Sequence, residues 1–432
     1  MSLDDKIRSK TAKIGVMGLG YVGLPLAVSF AEAGFSVLGF DVVADKVQKI
    51  NQGSSYILDI PTERLGALTQ KKLLRASSNP DDLHDLDCVS ICVPTPLRKT
   101  RDPDISFIVN SVEALARFLH KDQLIVLEST TYPGTTEEVV LPLFEAKGLK
   151  VGRDFNLAFS PERVDPANKR YETGNIPKVI GGVTPACTKI AALLYGCVVK
   201  EVVQVSTSRV AEMVKLLENT FRAVNIGMVN ELALLCHKMD IDVWEVIDGA
   251  ATKPFGFMPF YPGPGLGGHC LPIDPIYLSW KARLVDFEAR FIDLAAQVNR
   301  YMPHYVAEVV GEALNRVKKP INGSKILLLG VAYKKNVNDV RESPSMDIWE
   351  TLKKDGADLF YHDPYIPEIH DPLKISSVPI DNDFLKQMDC VVLVTDHDIF
   401  DYENILEHSC LFVDTRNATK HIKNNRHKIV KI

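Results

Sequence analysis

The sequence predicts an α/β protein in which two doubly wound domains are joined by a long central helix and a helical middle domain. Three observations support this prediction. Short apolar runs alternate with helical patterns up to about residue 204, an extended helical pattern follows, and short apolar runs return after residue 324. The expected domains are 1–204, 205–318 and 319–432.

The first domain begins with a strand, a helix and a second strand. Residues 13–18 read KIGVMG, residues 22–33 have a helical pattern, and residues 36–41 read SVLGFD. This βαβ order continues along the domain and predicts a Rossmann-like sheet with helices on both faces. Further strands are predicted in CVSICVPTP (88–96), LIVLEST (124–130), FNLAFSPER (155–163) and KVIGG (178–182).

The middle of the chain has a different pattern. From about Ser206, AEMVKLLENTFRAVNIGMVNELALLCHKM keeps a helical spacing of apolar residues, and Gly227 is its only glycine. The Pro/Gly-rich segment 253–275 cannot be a regular element and is too apolar for a solvated linker, so it is a candidate functional loop. KKPINGSK (318–325) is a plausible linker to the second, smaller Rossmann-like domain.

Composition excludes several classes of function. The chain has 432 residues, 46% of them hydrophobic and 24% charged, which is typical of a globular protein of several domains. A net charge of −5 gives no basic field for nucleic acid. The N-terminal residues lack a signal pattern and no apolar run suits a membrane span, so we expect a cytoplasmic protein without membrane contact. The eight cysteines lack the paired spacing of a metal site, and no metal is expected.

A glycine motif follows the first predicted strand. Gly18, Gly20 and Gly23 form GxGxxG between a strand and a helix, where they would allow a tight turn and close approach of a pyrophosphate. Asp41 ends the second strand, where its carboxylate would accept ribose hydroxyls and repel a 2′-phosphate. The motif therefore predicts binding of NAD, with a purely structural turn as the alternative.

Three polar residues are candidates for catalysis. Lys215 and Asn219 lie four residues apart on one helix face, where they could hold a developing oxyanion; a solvated lysine and a surface asparagine are the alternative. Glu162, in SPER at the end of a strand, could be a general base or a salt-bridged loop acid.

The glycine-rich loop presents a thiol. Residues 263–270 read GPGLGGHC and Asp274 follows, so that Cys270 is more available than a cysteine in a core strand. The alternative is a structural glycine turn with an incidental cysteine, and His269 is expected to serve loop packing. After a strand of the last domain, Tyr333-Lys334-Lys335 and DVRES (339–343) would suit a diphosphate or simply be solvated.

Together these segments resemble the UDP-glucose/UDP-N-acetylmannosamine dehydrogenase family from Lys13 to about Asn417. The long loop before Cys270 looks closest to the UDP-N-acetylglucosamine 6-dehydrogenase branch. The motifs that carry the resemblance are GLGYVGLP, VPTP, EST with TYPGT after it, SPER, AEMVKLLEN, PGPGLGGHCLPIDP and GVAYKKNVNDVRESPS.

The resemblance implies oxidation of a UDP-sugar CH2OH group to a carboxylate by two hydride transfers to NAD. The implied substrate is UDP-N-acetylglucosamine, with UDP-N-acetylmannosamine and UDP-glucose as alternatives. Cys270 would trap the aldehyde as a thiohemiacetal that is oxidised to a thioester. Lys215 and Asn219 would stabilise oxyanions, Glu162 and Thr131 would position or activate water, and Asp274 would tune the lysine or the water near the thiol.

The resemblance also implies two binding sets, with the active site between the domains and a homodimer or higher oligomer built on the long middle helix. The implied cofactor residues are Gly18, Gly20, Tyr21, Val22, Gly23, Asp41, Lys46, Thr95, Thr130 and Arg341. The implied substrate residues are Glu162, Arg163, Lys215, Asn219, Tyr261, Gly267, Tyr333 and Lys334.

Two positions depart from the family pattern. The UDP-glucose enzymes often carry a second Glu where this chain has Pro166, and an Arg in the stretch that reads ATKPFGF here, in which Lys253 is a possible substitute. Two rival functions fit the sequence less well. A two-electron hydroxyacid-type dehydrogenase needs no thiol, and a non-catalytic nucleotide-sugar-binding protein would lose Cys270, Lys215 or Glu162, all of which are present.

Overall fold

The computed structural model of the chain describes residues 1–57, 59–98, 100–164, 171, 174–268, 270–370 and 374–432. These residues form two compact units. The first comprises Met1–Glu218 and Trp280–Asp286, and the second comprises Asn219–Ser279 and Phe287–Ile432. The boundaries of the three domains expected from the sequence stay a prediction.

A single sheet forms the centre of the first unit. Its strands are β1 (Lys13–Met17), β2 (Ser36–Phe40), β3 (Leu74–Ser77), β4 (Cys88–Ile91), β5 (Leu124–Leu127), β6 (Asn156–Phe159), β7 (Lys178–Gly182) and β8 (Val202–Gln204). Their order is β3-β2-β1-β4-β5-β6-β7-β8, and all neighbours are parallel except β6 and β7. This is the predicted Rossmann-like topology, extended by an antiparallel pair.

Helices cover both faces of this sheet. An apolar core lies between the helices and each face of the sheet, which explains why central strands such as β5 are buried along their whole length. The edge strands β3 and β8 are short and partly exposed, so no continuous apolar run announces them in the sequence. The helices are α1 (Leu3–Arg8), α2 (Gly23–Glu32), α3 (Ala44–Asn51), α4 (Thr62–Gln70), α5 (Ser106–Ala116), α6 (Leu141–Glu145) and α7 (Pro185–Tyr195), with a 3-10 turn at Pro80–Leu83 and a π turn at Thr136–Val140.

The predicted long helix is present as α8 (Ser208–Lys238). Its glycine has a packing reason, because a Cβ on Gly227 would lie 3.0 Å from the Cα of Ala295 on another helix of the second unit. That unit continues with α9 (Val243–Ala251), α10 (Asp274–Arg283, whose last residues belong to the first unit) and α11 (Arg290–Arg316). No helix in the described ranges combines the length and apolar character that crossing a membrane requires.

The second unit contains the smaller predicted sheet. Its strands β9 (Lys325–Leu329), β10 (Asp358–His362), β13 (Cys390–Leu393), β14 (Phe412–Asp414) and β15 (Ile429–Lys431) are parallel in the order β10-β9-β13-β14-β15. A short antiparallel pair, β11 (Glu368–Ile369) and β12 (Ile375–Ser376), stands apart from it. The remaining helices are α12 (Pro344–Lys354), α13 (Asn382–Gln387) and α14 (Tyr402–His408), with a 3-10 turn at Arg426–Lys428. The predicted fold class is therefore confirmed.

Candidate active site

The glycine turn after β1 has the geometry that a dinucleotide requires. Gly18 adopts φ +90°, which favours glycine, and its N–H donates to the Phe40 carbonyl at 2.8 Å. A Cβ on Gly23 would lie 1.9 Å from the Gly18 carbonyl oxygen, whereas one on Gly20 would meet nothing within 4 Å. Because α2 begins at Gly23, the positive end of its helix dipole lies at the turn and suits a pyrophosphate.

Asp41 follows β2 and holds this turn. One of its carboxylate oxygens accepts the N–H of Leu19 at 2.8 Å and lies 3.3 Å from the ammonium of Lys46. The other oxygen accepts the N–H of Val43 at 2.9 Å. Among the described residues this second oxygen has a single donor and keeps a lone pair with which it can accept a ribose hydroxyl, so the residues present fit NAD.

The other predicted cofactor residues of this unit lie along the same edge of the sheet. Tyr21 is exposed in the turn and Val22 immediately precedes α2. Thr95 and Thr130 follow β4 and β5 and are half-buried. The segments after parallel neighbours meet at one edge of a sheet, which is where such folds bind ligands. The structure thus brings this set together.

Lys215 and Glu162 meet through the main chain. The Lys215 ammonium donates to the Glu162 carbonyl at 2.8 Å. One carboxylate oxygen of Glu162 accepts the N–H groups of Arg163 and Val164 at 2.8 and 2.7 Å, and the other accepts from Lys178 at 3.0 Å. Burial alone would raise the pKa of Glu162, but the Lys178 ammonium and the hydrogen bonds lower it below the usual value. This carboxylate is therefore an anchored anion.

Arg163, predicted to contact substrate, is held inside the first unit. Its guanidinium lies 2.5 Å from the Glu218 carboxylate and donates to the Pro177 carbonyl at 2.9 Å. Sequence reasoning missed Lys178, although a charged residue at the start of the apolar run KVIGG was a usable signal. Pro166 lies outside the described residues.

Thr131 is buried in a turn that a second unpredicted residue fixes. Its hydroxyl lies 2.6 Å from the hydroxyl of Thr135. The carboxylate of Glu212, on α8, accepts from the Gly134 N–H at 2.6 Å and from the N–H and hydroxyl of Thr136 at 2.8 and 2.6 Å. Burial raises the pKa of Glu212 to about 7.

Cys270, Asn219 and Asp274 come together in the second unit. The Cys270 side chain is exposed, and its carbonyl accepts the N–H of Asp274 at 2.9 Å where α10 begins. The buried Asp274 carboxylate accepts from the Asn219 amide at 2.5 Å. The arrangement offers a nucleophile beside a positioned amide and carboxylate. His269 lies outside the described residues, and the described part of the chain has no cluster of His, Cys, Asp or Glu fit to hold a metal ion.

The loop before the cysteine packs against the turn after β9. Cβ atoms on Gly267 and Gly268 would lie 2.9 and 2.7 Å from atoms of the Tyr333 side chain, so only glycine allows this approach. The Gly268 N–H also donates to the Arg341 carbonyl at 3.3 Å. Lys334 follows Tyr333 and is half-buried. Of the predicted substrate residues of this unit, Tyr333 therefore lies against the loop that carries the thiol.

The start of the same loop is fixed from inside. The Gly263 N–H donates to the buried Asn230 side chain at 3.0 Å, and that amide donates to Asn299 at 2.8 Å. A Cβ on Gly263 would lie 2.8 Å from a guanidinium nitrogen of Arg416, whose Nε donates to the Val394 carbonyl at 2.9 Å. Burial lowers the pKa of Arg416. Sequence reasoning missed this half-buried cation after β14, in VDTRN.

Two further predicted residues make contacts within the second unit. The Tyr261 ring stacks on Trp244, with ring centroids 5.8 Å apart, and its hydroxyl donates to Asp248 at 2.8 Å. Arg341 forms an ion pair with Asp339 at 2.6 Å. Its role toward a cofactor stays a prediction.

Comparison with known proteins identifies related sequences along the chain. Descriptions of the UDP-glucose/GDP-mannose dehydrogenase family match it as NAD binding domain at residues 12–199, central domain at 209–301 and UDP binding domain at 327–421. The UDP-N-acetyl-D-mannosamine dehydrogenase of Pyrococcus horikoshii is 36% identical over 94% of this chain and 96% of its own. The UDP-N-acetyl-D-glucosamine 6-dehydrogenase of Pseudomonas aeruginosa is 34% identical over 83% and 84%.

Solved structures agree with these sequence matches. The structure of UDP-D-ManNAc dehydrogenase from Pyrococcus horikoshii superposes with a TM-score of 0.88 at 33% identity, covering 97% of this chain and 98% of its own. Relatives that are named for different sugars thus have similar sequence identities to this chain. The comparisons determine the family but not the sugar.

Proposed function

The chain belongs to the UDP-glucose/GDP-mannose dehydrogenase family, and we propose that it oxidises the C6 hydroxymethyl group of UDP-N-acetylglucosamine to a carboxylate. The chain is an NAD-dependent UDP-sugar dehydrogenase by its family. The observation that carries the covalent part of the proposal is the exposed Cys270, whose carbonyl is tied to the start of α10 beside the Asn219–Asp274 pair.

In this proposal Cys270 is the nucleophile. Its sulfur adds to the C6 aldehyde to give a thiohemiacetal, oxidation of that adduct gives a thioester, and water releases the acid and regenerates the thiol. Two NAD molecules, bound in turn, would supply the hydride acceptors, one for oxidation of the C6 alcohol to the aldehyde and one for oxidation of the thiohemiacetal. The Asn219 amide and the Lys215 ammonium stabilise the oxyanions, and Asp274 orients Asn219 through their hydrogen bond. Thr131 positions water, and Glu162 holds the turn on which Lys215 rests.

The nucleotide is bound by the second unit in this proposal. Tyr333 and Lys334 lie beside the glycine loop, and Arg416 adds a half-buried guanidinium at Gly263. A diphosphate carries two negative charges that such cations bind, and a guanidinium offers paired donors for its oxygens. This supports a division of labour in which the first unit binds NAD and the second binds UDP.

The sugar is the finer part of the proposal. UDP-N-acetylglucosamine is favoured by the resemblance of the loop before Cys270, and UDP-N-acetylmannosamine is the second candidate because a relative of that name is 36% identical. The test compares kcat/KM for these two sugars and UDP-glucose by NADH formation. The highest value is expected for UDP-N-acetylglucosamine. A higher value for UDP-N-acetylmannosamine would select the second candidate, and no NADH from any of them would contradict both.

We also propose a homodimer or a higher oligomer. Along α8 within the second unit, exposed apolar side chains recur at intervals of three, four and seven residues, which makes one stripe. A large exposed apolar stripe is typical of an interface between subunits. Light scattering is expected to give at least twice the chain mass of 48.0 kDa, and a mass of one chain would contradict the proposal. The stripe consists of Phe221, Met228, Leu232 and Leu235 on α8 and of Met239 directly after it.

The cytoplasmic setting expected from the sequence stays a prediction.

A further inference from the structure

Three charged side chains are buried together in the first unit. The Lys178 ammonium lies 2.5 Å from the Glu128 carboxylate and 3.0 Å from that of Glu162. The side chains of Lys178, Glu128 and Glu162 are only 5%, 0% and 12% exposed. Burying a charge costs free energy unless the charge is paired, and here the ammonium is paired with two carboxylates.

The antiparallel pairing of β6 and β7 brings these residues together. Ala158 pairs with Gly182 and Phe159 with Gly181, a register that places Lys178, the first residue of β7, opposite the segment just after β6. Glu162 lies in that segment, and Glu128 follows the neighbouring strand β5. A parallel β7 would have placed the other end of the strand at this edge of the sheet.

The ammonium is the centre of the cluster. Burial alone would lower the pKa of Lys178, but the two carboxylates raise it above the usual value, so the side chain stays charged. Glu128 also accepts from the Tyr195 hydroxyl, which in turn lies 2.9 Å from the Ser90 hydroxyl. Glu128, itself held by Tyr195, is therefore a second carboxylate that fixes Lys178 beside Glu162.

This cluster ends at a catalytic candidate. The carboxylate of Glu162 binds Lys178 and the N–H groups of Arg163 and Val164, which fixes the turn 162–164. The carbonyl of Glu162 in that turn accepts from the Lys215 ammonium at 2.8 Å. We propose that Lys178 is a positioning residue, which through Glu162 fixes the carbonyl that holds the Lys215 ammonium.

A purely structural role explains the cluster less well. Buried ion pairs can often be replaced by apolar residues of similar volume without loss of stability, so their presence is weak evidence for a stabilising role. Here the pair lies directly behind a turn whose carbonyl receives the ammonium of a catalytic candidate. The inference rests on the proposed role of Lys215 in the reaction.

The test is a double-mutant cycle between the cluster and Lys215. Lys178→Met combined with Glu128→Gln removes one positive and one negative charge together, which leaves the net charge of the cluster unchanged and favours folding. The same two substitutions at the exposed pair Lys150 and Glu145, 3.0 Å apart in the same unit, provide the matched control. The readouts are kcat and the thermal midpoint of the full-length protein with NAD and UDP-sugar.

Lys215→Ala is expected to lower kcat by about 100-fold, the effect of removing an oxyanion donor. The cluster variant is expected to lower kcat by about 10-fold with a thermal midpoint close to that of the wild type, because a displaced catalytic group loses its orientation. In the Lys215→Ala background the cluster variant should change kcat by less than about 2-fold, since residues acting through one group are not additive. The control pair should leave kcat unchanged.

Three results would overturn the inference, and each has a different meaning. If the effects of the cluster and of Lys215→Ala multiply, Lys178 does not act through Lys215, while the proposed function stands. If Lys215→Ala itself leaves kcat unchanged, the proposed role of Lys215 fails and the inference fails with it. If the cluster variant has the same kcat as the wild type, Lys178 serves only the fold.

Discussion

The two sheets of this protein build the same turn and use it differently. In each, the first strand ends in a glycine with positive φ, Gly18 at +90° and Gly330 at +76°. Each glycine N–H donates to the last residue of the neighbouring strand, at 2.8 Å to Phe40 and at 2.9 Å to His362. An aspartate follows that strand in both sheets and accepts N–H groups of the glycine turn.

The environments of the two aspartates differ. Asp41 lies beside the half-exposed Lys46, whereas the carboxylate of Asp363 is fully buried and accepts from His397 at 3.0 Å. The other ring nitrogen of His397 accepts the N–H of Asn336 at 2.8 Å, so the nitrogen facing Asp363 carries the proton. The Asp41 side chain is itself only 6% exposed, but one of its oxygens has a single donor among the described residues, whereas the Asp363 side chain has no exposed surface.

The distance from turn to helix differs as well. Four residues separate Gly18 from the start of α2 at Gly23, whereas the second turn continues through a long segment before α12 begins at Pro344. That segment carries Tyr333 and Lys334, which lie beside the glycine loop of the same unit. The same glycine turn therefore leads almost directly into a helix after β1, and into a longer loop after β9.

The largest effect is expected from Asp363→Asn. An amide cannot accept from all the groups that this carboxylate binds, namely the N–H groups of Val331, Ala332 and Tyr365 and the ring of His397. Breaking a buried set of this kind costs about 3–5 kcal/mol of unfolding free energy. Urea denaturation is expected to show this loss, together with weaker UDP binding and unchanged NAD binding.

Acid adds an independent check on the same residue. Burial alone would raise the pKa of Asp363, but His397 and the main-chain N–H groups lower it below the usual value. A carboxylate with a lowered pKa stabilises the fold above its unfolded pKa, and this stability is lost as the pH falls through the folded pKa. The wild type should therefore lose stability below about pH 4, where the variant should change less. Parallel acid limbs for the two proteins would contradict this account.

A smaller effect on stability and a larger one on the cofactor are expected from Asp41→Asn. Losing a charge-assisted hydrogen bond to the ribose is expected to weaken NAD binding by about 10- to 100-fold. The loss of unfolding free energy should be about 1 kcal/mol, because an amide oxygen can still accept a main-chain N–H. Titrations with NAD and with UDP measure the affinity of each variant for the cofactor and for the nucleotide. The proposed difference between the two aspartates would be contradicted if the Asp41→Asn protein bound NAD normally. It would also be contradicted if that protein lost as much stability as Asp363→Asn.

Much of this fold is legible in the sequence. The apolar runs around β1, β4, β5 and β9 and the spacing of α8 predict the two sheets and the central helix, because parallel strands buried on both faces are continuously apolar. The edge strands β3 and β8 escape prediction because they are short and partly exposed. The antiparallel direction of β7 cannot be predicted either, since the sequence of an apolar strand does not indicate its direction in the sheet.

The candidate site divides in the same way. Gly18, Asp41, Lys215 and Cys270 are marked by motif or by the chemistry of the side chain. Residues that act through another side chain are not marked in this way, because their role depends on contacts between positions far apart in sequence. Lys178 and Glu128 are fifty residues apart, and Asp363 and His397 are thirty-four apart. Sequence patterns of three or four residues cannot record such pairs.

The central claim is that Cys270 carries both oxidations through covalent adducts. The most direct measurement is the number of NADH molecules formed per molecule of UDP-sugar consumed, for the wild type and for Cys270→Ser. The account predicts two NADH per sugar for the wild type and loss of steady-state turnover in the variant. One NADH per sugar, with the variant still active, would contradict the covalent mechanism and identify a two-electron dehydrogenase.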